Sequence, residues 1–266
     1  NTGIGACVLK ANTTGSYNVG MGCGALNVNT TGQFNTALGE GTLGANTTGD
    51  YNVGIGGYAL DKNTTGDQNV AIGRCALLTS LTGNDNIAIG TEAMCSGYSG
   101  CNNIAIGCKA LEDWTGQTGR EGSVAIGTCA LASITTACGN TAVGHLAAQA
   151  TTNGDNVAIG TCALYANTGG EANVAIGFCA SKAGTGARHN VGIGFRALDS
   201  STTCGNVAIG YQAAYNGHNA NHITAVGYRA LHTSGTSANH LTAIGAFALE
   251  NADGSAEYCV AVGSKA

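Results

Sequence analysis

NVAIGTCAL, residues Asn156 to Leu164, is preceded thirty-three residues earlier by SVAIGTCAL at 123–131, and looser versions of the same word run through the whole chain. Aligned on its first residue, the word starts at 1, 18, 35, 52, 69, 86, 103, 123, 140, 156, 173, 190, 206, 223, 241 and 259. Most intervals are 17 residues, within limits of 16 and 20. A fixed period near 20 residues marks a solenoid, in which each unit buries its face only against its neighbours. Positions two and four of the word are Val, Ile, Thr, Met or Leu, position three is always Gly or Ala, and position five is Gly in all sixteen copies. Alternation of this kind, stopped by a residue that bends without steric cost, predicts one short β-strand and a corner in each coil. On this reading Val157 and Ile159 are core. The small third residue either allows close approach of a neighbouring chain or faces the opposite wall of the same thin coil.

Ala at position eight and Leu at position nine predict a second short strand, and segments such as 45–51, ANTTGDY, predict the return loop. Asn opens twelve of the first thirteen coils, Ser123 being the exception, which predicts a ladder of stacked amides. The fold class is therefore all-β, a parallel β-solenoid of about sixteen short coils, read as one repeat domain over 1–266. The repeat is already under way at residue 1 and a new copy has begun at 259, so the sequence reads as a segment of a longer chain, uncapped at both ends.

Composition narrows the function. The 266 residues include 44 Gly and no Pro, with 9% charged residues. Without Pro the glycines are not those of collagen, and a solenoid explains both, since every coil must donate backbone N–H groups to the next. No apolar stretch approaches the ~18 residues of a membrane span. The net charge is −5 and the ten basic residues are scattered, against nucleic acid as a partner. The twelve cysteines form no C-x-x-C pair and lack zinc-finger spacing. They read as an extracellular set, some in disulfides and some acting as small buried hydrophobes. No cofactor motif is present.

NVAIG at 69–73 with Ala76, followed by NIAIG words with Ala93 and Ala110, resembles the head repeat of trimeric autotransporter adhesins. The NTTG loops at 12–15, 29–32, 46–49 and 63–66, followed by N-[VT]-x-x-G-x-x-A-L, resemble repeats of phage and large-virus tail-fibre proteins. The resemblance spans the chain. It implies a left-handed parallel β-roll, three identical chains around one axis, and service as a fibre shaft or attachment structure, extracellular or on a virion. The partners it implies are further copies of the chain, in a homotrimer or an end-to-end filament, and a cell-surface glycan or host receptor.

Candidate sites follow from columns of equivalent positions. Phe178, Phe195, Tyr211 and Tyr228 hold position six in four consecutive coils, as a flat platform for sugar rings or as a stripe packed on itself. Tyr17, Phe34 and Tyr51 make a shorter, structural ladder. His222 and His240 fall in register on adjacent coils, either as weak candidates for a metal or anion site or as solvated loop residues. Cys162 and Cys179, stacked at position seven, and Cys95 with Cys101 in CSGYSGC are disulfide candidates. As a nucleophile Cys162 would need a base; the nearest histidine, His145, is placed by strand alternation on the opposite face. Asn12, Asn29, Asn46 and Asn63 each head an Asn-Thr-Thr glycosylation sequon, letters that equally serve as turn chemistry. IGTCAL also fits the hexapeptide word of solenoid acyltransferases, an enzymatic alternative that requires a three-walled coil. The reading favoured is a non-catalytic structural and adhesive fibre, with a glycan-binding module as its alternative.

Overall fold

The computed structural model describes residues 1–96, 100–113, 122–134, 137–216, 220–234, 239–252 and 256–266, with no helix among them. The chain divides into two compact units, Asn1–Gly139 and Asn140–Ala266, built of the same coil. The first carries eight three-residue strands, from Thr2–Ile4 to Val124–Ile126, and the second carries eight more, from Thr141–Val143 to Val260–Val262. Consecutive strands pair in parallel with like positions facing like, as in Val70↔Ile87, Ala71↔Ala88 and Ile72↔Ile89. Eight strands close seven turns per unit, fourteen in all, where the sequence counts about sixteen coil starts. In the second unit a small extra ladder pairs Thr233–Ser234 with Asn251–Ala252.

The strand is oriented opposite to the expectation from its pattern. In every three-residue strand after the first the middle residue is buried, while the flanking residues are only partly covered. Ala158 is fully buried and Ile159 is 39% exposed, so Val157 and Ile159 are not core. The reason is the thinness of the coil. A Cβ built on Gly20 would lie 2.5 Å from Val8 Cγ1, and one built on Gly54 would lie 2.5 Å from Thr42 Cγ2. Position three thus meets position eight across the interior, and the space between them holds little more than a methyl group. Of the two readings of the small third residue, the facing wall of the same chain accounts for it.

The expected second strand is replaced by a run of tight turns. In the coil that begins at Asn18, the N–H groups of Ala25, Asn27 and Asn29 donate to the carbonyls of Gly22, Gly24 and Leu26 at 3.4, 3.2 and 3.2 Å. Leu26 itself has φ of 52°, and Leu43, Leu60, Leu77, Leu111 and Leu131 repeat this left-handed conformation. For an L-residue it costs about 1–2 kcal/mol, whereas burying a leucine side chain contributes about 1.5–3 kcal/mol. Leu26, Leu43 and Leu60 have no exposed surface, so burial outweighs the strain. The turn also aims each leucine amide at the next coil, with Leu43 N–H donating to Ala59 O at 3.0 Å.

Two buried amide ladders tie the coils together. At position one, Asn35 N–H donates to Asn18 Oδ1 (2.9 Å) and Asn52 N–H to Asn35 Oδ1 (2.9 Å), while Asn35 Nδ2 closes its own coil onto Gly49 O (2.7 Å). In the second unit this ladder ends where Asn206 Oδ1 accepts the N–H of Ile223 at 3.1 Å, because Ile223 and Leu241, both buried, then stand where asparagine stood. At position twelve, Asn46 Nδ2 donates to Asn29 Oδ1 (2.7 Å) and Gly49 O (3.0 Å), and Asn63 repeats this onto Asn46 and Gly66. The next coil offers Ser80, and Asn63 Oδ1 is left buried without a partner.

Position five shows how close the coils come. Gly90 has φ of +136°, and a Cβ there would stand 2.5 Å from the carbonyl oxygen of Gly107. Gly90→Ala is expected to destabilise the chain by roughly 2–6 kcal/mol, combining backbone strain and overpacking. Gly57→Ala, where an added Cβ meets nothing within 4 Å, is expected to stay within about 0.5 kcal/mol of the parent; denaturant midpoints compare the two. Ser80→Asn, which gives Asn63 Oδ1 a donor, is expected to raise stability by about 1 kcal/mol in the same measurement.

Candidate functional site

Because the strand turns its small residue inward, its two larger residues form a flat outer face. In the first unit Val19, Met21, Ile55 and Ile126 stand on it, and in the second Ile159, Ile209 and Ile244, each between 36% and 46% exposed. Residues of one position stack at the inter-strand spacing of about 4.8 Å. Each unit therefore presents parallel apolar columns rather than scattered apolar residues.

The run of turns builds a second feature, an edge on which side chains at positions six, seven and ten meet across coils. Position six touches position seven of the next coil: Arg74 Nη2 lies 2.8 Å from Glu92 Oε1, and Tyr58 donates its hydroxyl to Glu40 at 3.0 Å. Position seven touches position seven or ten of the next coil, as in Lys109–Glu92 at 3.5 Å, Arg229–Glu250 at 3.2 Å, and the Arg196 guanidinium 4.6 Å over the Tyr215 ring. Lys109 also pairs with Glu112 at 2.8 Å, a bond that pushes its pKa up. These contacts were not anticipated from sequence. The signal was present as opposite charges 18 residues apart, Arg74 and Glu92, but reading it requires knowing that positions six and seven belong to a turn.

The aromatic columns form as expected, but not as a platform. Phe178, Phe195, Tyr211 and Tyr228 stack with centroids 5.1–5.3 Å apart and planes within 10° of parallel. Phe247 then meets Tyr228 edge-on at 5.2 Å. Both faces of Phe195 and Tyr211 are thus covered by neighbouring rings. The column is partly exposed, yet the inner rings have no free face on which a sugar could lie. Tyr17, Phe34 and Tyr51 stack in the same manner at 4.8 and 4.9 Å.

His222 and His240 also stack, 5.1 Å apart and 15° from parallel, and His240 continues onto Tyr258 at 4.8 Å. Zinc–nitrogen bonds of about 2.0–2.1 Å need the two nitrogens to converge on one point. Parallel rings direct their lone pairs side by side, so the pair is not a chelate within one chain. Among the described residues no group of three metal-ligating side chains comes together.

None of the twelve cysteines is in a disulfide. The pairing expected between Cys95 and Cys101 is not formed; Cys101 Sγ accepts the N–H of Asn84 at 3.3 Å, and residues 97–99 of that segment lie outside the described residues. The Cys162–Cys179 bridge is likewise not formed, although the two are stacked one coil apart, with N–H groups donated to His145 O and Thr161 O at 3.0 Å each. Strand alternation, the reason for separating Cys162 from His145, does not apply at these turn positions. Their backbones are hydrogen-bonded, but the imidazole makes no hydrogen bond to the thiol.

The sequons have a structural use. Asn29, Asn46 and Asn63 are fully buried, with Nδ2 committed to the position-twelve ladder, so a glycan on that nitrogen is incompatible with the folded coil. Among the described residues each coil carries one three-residue strand, joined by a two-residue strand in the coils that begin at 223 and 241, and the hexapeptide reading would need three walls.

His232 is stacked on Tyr215 at 5.3 Å; burial lowers its pKa below the ordinary 6.5, and the Arg229 charge lowers it further. The unfolded chain then binds this proton more readily than the folded one. Its contribution to stability is complete above about pH 6.5 and is lost as the pH falls below that value. Denaturant midpoints measured between pH 5 and 8 are expected to show this slope, reduced in His232→Gln.

No protein-family model, curated protein or solved structure matches the chain.

Proposed function

We propose that the chain is a non-catalytic segment of an extracellular fibre, a left-handed β-roll whose apolar strand faces pack against two further copies of itself to form a trimeric shaft used in attachment. The observation that carries this reading is the outer face of the strands. An Ile, Val, Leu or Met side chain stands there at position four of every coil, more than a third exposed at Met21, Ile159 and Ile209. A face with an aliphatic residue at every step along the axis is matched by a second solenoid of the same rise, which a copy of this chain supplies. The sequence words shared with adhesin heads and tail-fibre repeats support the same assembly. No helix among the described residues is long and apolar enough to cross a membrane.

Analytical ultracentrifugation of the parent chain is expected to give three times the chain mass. The double variant Ile159→Asp/Ile209→Asp is expected to sediment as a monomer with an unchanged circular dichroism spectrum, since both side chains lie on the outer face. A monomeric parent overturns the assembly. A second reading, glycan attachment, is favoured only by the exposed edges of the aromatic column in the second unit. It requires binding on a glycan array that Tyr211→Ala abolishes while the fold is retained.

A further inference from the structure

Six of the twelve cysteines fall into three pairs along the turn edge, and each pair occupies an inter-coil relation that other residues fill with direct contact. Cys108 at position six and Cys129 at position seven of the next described coil stand as Arg74 stands to Glu92 and Glu40 to Tyr58, both within 3.0 Å. Their backbones are joined by Cys129 N–H donating to Cys108 O at 3.0 Å. Cys75 at position seven and Cys95 at position ten of the next coil stand as Arg196 stands to Tyr215 and Arg229 to Glu250. Across the same relation, a Cβ added to Gly41 would lie 3.8 Å from Asp61 Oδ1. Cys162 and Cys179 at position seven of adjacent coils stand as Glu92 stands to Lys109.

For Cys162 and Cys179, which hold one position on adjacent coils, Cα atoms stacked at about 4.8 Å lie within the ~4.4–6.8 Å spanned by disulfides. Cys162 and Cys179 share one backbone conformation, with φ of 56° and 52°. Burial pushes the thiols of Cys95, Cys129 and Cys179 up, and in each the next largest contribution is the negative charge of its own partner, Cys75, Cys108 and Cys162 respectively. All six are reduced in the structure.

We propose that Cys75–Cys95, Cys108–Cys129 and Cys162–Cys179 are dithiol sites that close into inter-coil disulfides by exchange with a small-molecule disulfide of the glutathione class. One thiolate attacks the disulfide, forming a mixed disulfide and releasing one glutathione thiolate. The partner thiolate then attacks the protein sulfur of that mixed disulfide and releases the second glutathione. The protein dithiol loses two electrons and two protons, and the disulfide becomes two thiols. Each new bond joins coils already in register, so it rivets the solenoid without moving its strands. This chemistry is independent of self-association.

The reduced full-length chain is incubated with excess oxidised glutathione, quenched with an alkylating agent and mapped by peptide mass spectrometry without reduction. The expected result is the three named intrachain links, each lowering the mass by two hydrogens. Cys129→Ser, a near-isosteric change at a turn position, is expected to abolish its own link, leave Cys108 as a stable glutathione adduct and spare the other two. Stable adducts at all six residues, scrambled pairings, or links formed only between chains overturn the proposal. Because the map is made on the parent chain, it does not depend on any variant folding.

Discussion

A solenoid interior wide enough for one methyl group governs the rest of this protein. Position three must be Ala or Gly because position eight faces it across the coil, as Gly20 faces Val8 and Gly54 faces Thr42. With so little width, the described residues opposite the first strand form turns in most coils, and only the short ladder of Thr233–Ser234 with Asn251–Ala252 adds a second pairing. The chain returns through tight turns that bring leucine into left-handed backbone, a conformation held by complete burial of Leu26, Leu43 and Leu60. Little apolar surface can be buried per coil, so hydrogen bonds carry an unusual share of the cohesion. Hence the buried asparagines: Asn35 alone accepts a backbone N–H of the next coil and donates to the end of its own. Buried amides are costly when unpaired and effective when fully satisfied, and nearly all of these are satisfied.

The period, the parallel strand and the asparagine ladder were legible in the sequence, since they depend on spacing and on side chains with one dominant use. The direction of the strand was not. Val-Ala-Ile alternates large and small, and the usual inference that the large residues face the core assumes a core able to hold them; Ala158 inside and Ile159 outside show the opposite case. The left-handed leucines were equally hidden, because propensity places leucine in regular structure and gives no warning of φ near 50°. Of the candidate sites, the columns Phe178 to Tyr228 and His222 to His240 were visible as positions, but ring orientation was not. That orientation, parallel and stacked, is what removes the ring faces from use. The meeting of positions six, seven and ten followed only from the turn conformation.

Reversal of the strand also relocates the apolar surface. Had Val157 and Ile159 been core, the solenoid would carry a polar exterior and no evident reason to associate. With the interior filled by Ala and Leu, the two larger residues of each strand are placed on the outside, where they repeat in columns. The turn edge, in contrast, holds six of the seven ion pairs and eight of the twelve cysteines, so the aliphatic columns and most of the polar contacts occupy different sides of one coil.

The end of the position-one ladder at Asn206 divides the second unit by the nature of its cohesion. Before it, position one joins successive coils through buried amides; after it, Ile223 and Leu241 place apolar contact at that position, and the amide contact moves to the loop, where Asn221 N–H donates to Asn239 Oδ1 at 3.0 Å. Apolar association weakens on cooling, while hydrogen-bonded contacts do not share that temperature dependence. In a nearest-neighbour stack, loss of one interface frees the coils beyond it without disturbing those before it. The coils from Ile223 onward are therefore a thermally distinct stretch, whose position-one contacts weaken in the cold while those of the amide-laddered coils before them do not.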